Sequence, residues 1–255
     1  MSPAAKSADS SASQGRTSST ARPTTPKRRG TSQKAAVEEL RAADPIMAGL
    51  IDMCGVISSP PRKKAAPEEH YGALLHAVVN QQLSVKAGAA IYGRLTERFG
   101  GQTPTPEQLL ADDPEELRLA AGLSRSKVGF MRSLAEHILS GELELDRLDD
   151  LSDEDVLTEL VAVKGIGEWT GHMFLMSHLH RPDVMAPGDL GIKRAIEKAY
   201  GLEDPDRETM ERLAERWRPH RTLACRYLWR SLNNEPVARP TGHPGKKSVT
   251  TSANH

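Results

Sequence analysis

The chain has 255 residues, 38% of them hydrophobic, enough for one sizeable domain or two small lobes. No apolar run approaches the roughly 18 residues a membrane span needs, so no membrane association is expected and the protein should be soluble. Lys and Arg number 34 and Asp and Glu number 34, a formal charge of zero, but the balance is partitioned along the chain.

Residues 1–34 carry Lys6, Arg16, Arg22, Lys27, Arg28, Arg29 and Lys34 against Asp9, a net of +6. Residues 239–255 add Arg239, Lys246 and Lys247 with no acid, which leaves −9 for the part between. Whole-chain charge therefore decides nothing about a nucleic-acid partner. Two cysteines, Cys54 and Cys225, exclude a four-cysteine zinc or iron–sulfur site within one chain and predict reduced thiols.

Residues 1–35 are mostly Ser, Thr, Ala, Pro and Arg, too poor in large apolar side chains to offset ordering entropy, and are predicted to be a disordered basic tail. They also lack the apolar stretch of a signal peptide. The folded part is predicted over 36–238, followed by a second basic tail, 239–255, with Pro240, Gly242, Pro244 and Gly245. Within the folded part the period is helical nearly throughout. Leu74, Val78, Val79, Leu83, Ala87, Ile91 and Leu95 recur at three- and four-residue spacing until Gly100–Gly101. Leu109, Leu117 and Ala120 predict a further helix ended by Gly122. Val128, Met131, Leu134 and Ile138 predict another, capped by Ser124 or Ser126 and closed by Gly141. Asp153 is expected to cap a helix through Val156, Leu157, Leu160 and Val161, with a turn at Gly165. Helices over 169–179, 190–200, 208–217 and 222–232 complete the series, and only 142–148 shows a period of two. The fold class is all-α, with nine or ten short helices.

Residues 160–171 read Leu-Val-Ala-Val-Lys-Gly-Ile-Gly-Glu-Trp-Thr-Gly: an apolar helix, a Gly-x-Gly turn and a second helix at once. Gly165 and Gly167 would permit positive φ and close approach of a phosphate to backbone N–H groups at the second helix's start, with Lys164 beside it. After that helix, 181–194 form a Pro/Gly loop with Asp189 at the mouth of the next helix, where it could simply cap it. A hairpin, a Gly/Pro loop and then an aspartate resembles the helix-hairpin-helix DNA glycosylase superfamily, here with the hairpin over 157–179 and the catalytic loop over 181–194. His76–Ala87, with Asn80-Gln81-Gln82-Leu83, Leu123–Lys127 and Trp217–Arg230 resemble further segments of its alkylpurine (3-methyladenine, glycosylase II) branch.

The resemblance implies a two-lobed helical fold with the active site in the cleft between lobes, and Asp189 as the catalytic carboxylate. It implies a base pocket of Trp169, Trp229 and Met173, Met173 standing where some members carry a third aromatic. Gln82 and Leu83 would be the wedge that fills the gap left by a flipped nucleotide. Lys164, Gly165, Gly167, Thr170, Ser124 and Lys127 would contact phosphate, and Na⁺ or K⁺ could sit at the Val163 and Gly165 carbonyls; no iron–sulfur cofactor or catalytic metal is expected. In lyase-competent members a lysine stands where this chain has Trp169, and an indole cannot form a Schiff base. The expected activity is monofunctional excision of alkylated purines (3-methyladenine, 7-methylguanine type) from double-stranded DNA by a monomer, in the cytoplasm and nucleoid or in a nucleus. Excision of neutral lesions such as hypoxanthine, and a non-catalytic DNA-binding module, remain the alternatives. Arg194, Arg221 and Arg226 could serve DNA or the protein's own carboxylates. If the basic tail supplies nonspecific attraction, deleting residues 1–34 should flatten the salt dependence of DNA binding and leave base choice unchanged, which a titration of affinity against salt concentration would check.

Overall fold

The computed structural model describes residues 32–57 and 63–233, and both predicted tails lie outside these except for residues 32–35. The first helix, α1 (Gln33–Ala43), starts ahead of the predicted boundary at residue 36, because Ala36 and Leu40 already turn into the core. It is followed by α2 (Pro45–Cys54), α3 (Pro67–Asn80) and α4 (Val85–Arg98). Then come α5 (Pro106–Ala111), α6 (Pro114–Ala121), α7 (Arg125–Ser140) and α8 (Asp153–Ala162). The chain closes with α9 (Glu168–Ser177), α10 (Leu190–Tyr200), α11 (Arg207–Ala214) and α12 (Arg221–Asn233). Short 3-10 turns occupy Leu145–Arg147 and Glu215–Trp217, and the described residues contain no strand, so the fold is all-α as expected. The period-two stretch 142–148 belongs to the first of these turns: Leu143, Leu145 and Leu148 are buried and the rest of the segment wraps them.

Helix ends follow elementary capping chemistry. Ser84, Thr105, Asp113 and Ser124 each accept a backbone N–H from the first turn of the helix they precede. Pro45, Pro67, Pro106 and Pro114 stand where a helix lacks a donor requirement anyway. Two expectations are corrected by these caps. The run from Leu109 to Ala120 is two helices, since Asp112 and Asp113 end one and cap the next. The cap of α8 is Ser152, whose hydroxyl accepts from the Asp155 amide, and Asp153 is the first helical residue. The helical run through Leu74 and Leu95 likewise breaks at Gln81–Ser84, where Gln82 adopts φ 56°.

The helices pack in two groups. In one, α3 packs on α4 and α7, α4 on α6, and α5 and α6 on α7; in the other, α12 packs on α2 and α10 while α1 lies on α2. Helix α9, buried at Thr170, Gly171, His172, Phe174, Leu175 and Met176, packs on α8 and α3. Asp44 ties the second group together. Buried and N-terminal to α2, it accepts from the Ile46 and Met47 amides, the Tyr200 hydroxyl and the Trp217 indole.

Candidate active site and nucleic-acid interface

The turn between α8 and α9 is the predicted hairpin. Gly165 has φ +90°, and a Cβ there would lie 2.1 Å from the Phe130 ring of α7, so both conformation and packing require glycine. Gly167 differs from expectation: it is extended at φ −89°, caps α9 without a side-chain hydrogen bond, and has open space where a Cβ would be. Its contribution is access, leaving the amides of the first turn of α9 uncovered for an anion. Glu168, the one acid in that turn, is held by the Arg207 guanidinium through both of its oxygens, and this pairing keeps its carboxyl below the usual range. The Gly165→Ala protein should lose about 1–3 kcal/mol of stability and bind duplex DNA more weakly, as strain and overpacking at the turn combine; thermal melting and anisotropy would check both. Gly167→Ala should melt with the wild type.

The other predicted phosphate contacts are used differently from one another. Lys164 is exposed, with its amide bonded to the Ser133 hydroxyl at 3.3 Å. Thr170 is buried at 5% exposure, so its side chain turns inward while its amide belongs to the first turn of α9. Ser124 is exposed, but its hydroxyl caps α7. Lys127 reaches back to donate to the Val79 carbonyl at 2.7 Å, so its ammonium secures the end of α3. Of the three arginines, Arg221 clamps the Asp183 carboxylate and Arg226 donates to the Met176 carbonyl, both serving the fold, while Arg194 is exposed.

The loop between α9 and α10 is held along its length. Arg181 donates to the Leu148, Asp149 and Leu151 carbonyls, the Thr222 hydroxyl donates to the Arg181 carbonyl and accepts from the Val184 amide, and Met185 and Ala186 are buried. This delivers Asp189 to the start of α10, where Oδ1 accepts from the Ile192 amide at 2.8 Å. Capping is therefore real, but it engages only part of the carboxylate. Oδ1 also accepts from the Trp229 indole at 2.8 Å, and Oδ2 from the Trp169 indole at 2.8 Å. The three residues singled out in the sequence thus converge, with Asp189 and Trp229 from one helix group and Trp169 from the hairpin.

Trp169 is 46% exposed and Trp229 partly buried, so aromatic surface is available beside the carboxylate. Met173, one helical turn after Trp169, is partly buried against the core. Gly191 went unnoticed in the sequence. A Cβ there would come within 3.0 Å of Asp189 Oδ1 and 3.1 Å of the Trp229 ring, so its absence admits the indole to the carboxylate. A glycine one residue into a helix, where it costs stability, was the available signal.

Gln82 and Leu83 lie at the α3–α4 turn, both exposed, Leu83 at 37%. An exposed leucine beside a strained, left-handed glutamine is what a group that enters a base stack would present.

A family model described as the HhH-GPD superfamily base excision DNA repair protein matches residues 75–219. DNA-3-methyladenine glycosylase 1 of Schizosaccharomyces pombe is 34% identical over 183 residues, covering 71% of this chain and 80% of its own. Among solved structures, a DNA-3-methyladenine glycosidase from Bacillus halodurans superposes with a TM-score of 0.68 at 35% identity, over 80% of this chain and 97% of that one. The S. pombe 3-methyladenine DNA glycosylase in complex with abasic DNA gives 0.66 at 33% identity, over 76% and 94%. The chain belongs to the HhH-GPD superfamily of base excision DNA repair proteins.

Proposed function

We propose that the chain is a monofunctional DNA glycosylase that flips alkylated purines out of duplex DNA and hydrolyses the N-glycosidic bond. The observation that carries this reading is the Asp189 carboxylate held between two indole N–H donors at 2.8 Å, beside exposed aromatic surface. The solved relative in complex with abasic DNA and the relatives named for 3-methyladenine support it.

A base within a duplex is out of reach, so the nucleotide leaves the stack at a cost of a few kcal/mol. The hairpin amides hold a neighbouring phosphate and the Gln82–Leu83 turn fills the vacated space. A purine alkylated at N3 or N7 is cationic, and an indole face attracts a cation by roughly 0.5–2 kcal/mol more than a neutral base. The same positive charge makes the base a good leaving group, so bond cleavage needs little general-acid help. Asp189 stabilises the oxocarbenium-like sugar that develops, and a water adds to the anomeric carbon. Its hydrogen bonds orient it before substrate arrives, which removes reorganisation from the barrier. Trp169 stands where a Schiff-base lysine would have to be, so the reaction ends at an abasic site without strand cleavage.

The Val163 and Gly165 carbonyls suit Na⁺ or K⁺ in donor chemistry but fit it only partly. Val163 already accepts from the Ile166 amide at 3.0 Å and Gly165 from the Gln81 side chain at 2.8 Å. One lone pair remains on each, and the rest of a coordination shell would come from water and the DNA phosphate. The proposal extends to a monomer acting wherever the genome lies, in the nucleoid or a nucleus. Mass spectrometry of bases released from methylated duplex DNA tests the reading: 3-methyladenine or 7-methylguanine is expected, whereas release of hypoxanthine alone from an inosine duplex would move the specificity to neutral lesions, and release of nothing would leave a binding module.

A further inference from the structure

Gln81 belongs to neither the pocket nor the wedge, yet its side chain leaves the α3–α4 turn and donates to the Gly165 carbonyl at 2.8 Å, across 84 positions of sequence. Gly165 is the left-handed corner of the phosphate-holding hairpin, and Gln81 immediately precedes Gln82 and Leu83. The turn is secured on its other flanks as well. Lys127 donates to the Val79 carbonyl at 2.7 Å, and the Asn80 amide, bonded to the His76 carbonyl, packs so tightly on α4 that a Cβ on Gly88 would sit 1.7 Å from its oxygen. Within this frame Gln82 holds φ 56°, a conformation a glutamine keeps only when its surroundings over-determine it. We infer that Gln81 is a positioning residue that couples the hairpin to the wedge turn, so that phosphate capture sets the height at which Gln82 and Leu83 meet the base stack.

The physical argument is register. A phosphate bound at the α9 amides fixes the DNA backbone relative to Gly165, and one directional hydrogen bond then fixes the wedge relative to the same atom. Without it the wedge can still enter DNA, but its position is no longer tied to the strand being flipped, and misplacement of a group that must act at a defined point is costly in rate. The cost should appear only where wedge work is needed, in extracting a stacked and paired nucleotide.

The inference rests on the glycosylase reading, and the test separates the two. Single-turnover release of 7-methylguanine is measured for wild type, Gln81→Met and Gln81→Glu on a fully paired duplex and on the same strand without its complement. The methionine variant keeps the length and loses the donor; the glutamate variant sets a carboxylate against the carbonyl. Both should release base about five- to tenfold more slowly from the duplex, the factor one uncharged hydrogen bond supports, and within twofold of wild type from the single strand. Adding Leu83→Ala to Gln81→Met should slow the duplex reaction less than it slows wild type, because the two act through one device. Equal losses on both substrates, strictly additive losses, or no loss would each overturn the coupling. If wild type releases base from neither substrate, the glycosylase reading itself fails. Melting curves identify a variant that has merely unfolded, and the remaining glutamine variant then carries the comparison.

Discussion

The Asp189→Asn protein is expected to bind alkylated duplex DNA with near wild-type affinity and to release base about 10²- to 10³-fold more slowly or not detectably. Asparagine is an equally good helix cap, so its carbonyl oxygen can still accept from the Ile192 amide and the Trp229 indole. The position facing Trp169 Nε1 becomes an amide donor against a donor, and the negative charge at the sugar is gone. The hairpin glycines and the wedge turn are untouched, so affinity and rate should separate. Fluorescence anisotropy and single-turnover mass spectrometry on one preparation measure the two. A variant as fast as wild type would remove Asp189 from the chemistry and reduce it to the helix cap it also is.

Asp44→Ala should cost the fold about 3–5 kcal/mol, lowering the melting temperature by on the order of 10 °C. One carboxylate, 1% exposed, satisfies two amides of α2, the Tyr200 hydroxyl at the end of α10 and the indole of the fully buried Trp217. Truncation removes a cap worth about 1 kcal/mol and leaves two buried side-chain donors without this acceptor. The same residue predicts an acid limb. Burial pushes its carboxyl up, but the hydrogen bonds from Trp217, Tyr200 and the two amides outweigh that and hold it below the usual carboxylate range. A group with a depressed folded value stabilises fully above its unfolded value, near pH 4, and loses that contribution as pH falls through the folded one. Melting temperature followed from pH 6 to 3 should therefore fall more steeply for wild type than for Asp44→Ala; parallel curves would mean the carboxylate is not the linked group.

Local readings of the sequence held at most positions where one residue's own chemistry decides, though Gly167 is extended and Ser152, not Asp153, caps α8. The spans of α10 and α12, the left-handed glycines at 122 and 141 and the Ser124 cap follow from periodicity, φ freedom and a hydroxyl in reach of its own backbone. They went astray where two local answers competed, as at Asp112–Pro114, where one apolar rhythm runs across two short helices. They were silent about α1 and α2, which owe their place to burial against distant parts of the chain, α2 on α12 and α1 on α2 and the Glu215–Trp217 turn. In the site, Asp189, Trp169, Trp229 and the wedge were singled out through the resemblance to the helix-hairpin-helix glycosylases.

By itself, then, the sequence determined the helical class and the hairpin, because each is written in local spacing, and through its family resemblance it pointed to Asp189, Trp169 and Trp229. Only the tertiary structure decided how they act together. It gave both carboxylate oxygens to indole donors 20 and 40 positions away, took the side chains of Thr170, Arg221 and Arg226 into the fold, and joined Gln81 to Gly165. Hydrogen bonds and close packing depend on distances across the folded chain, and residue spacing carries no record of those distances.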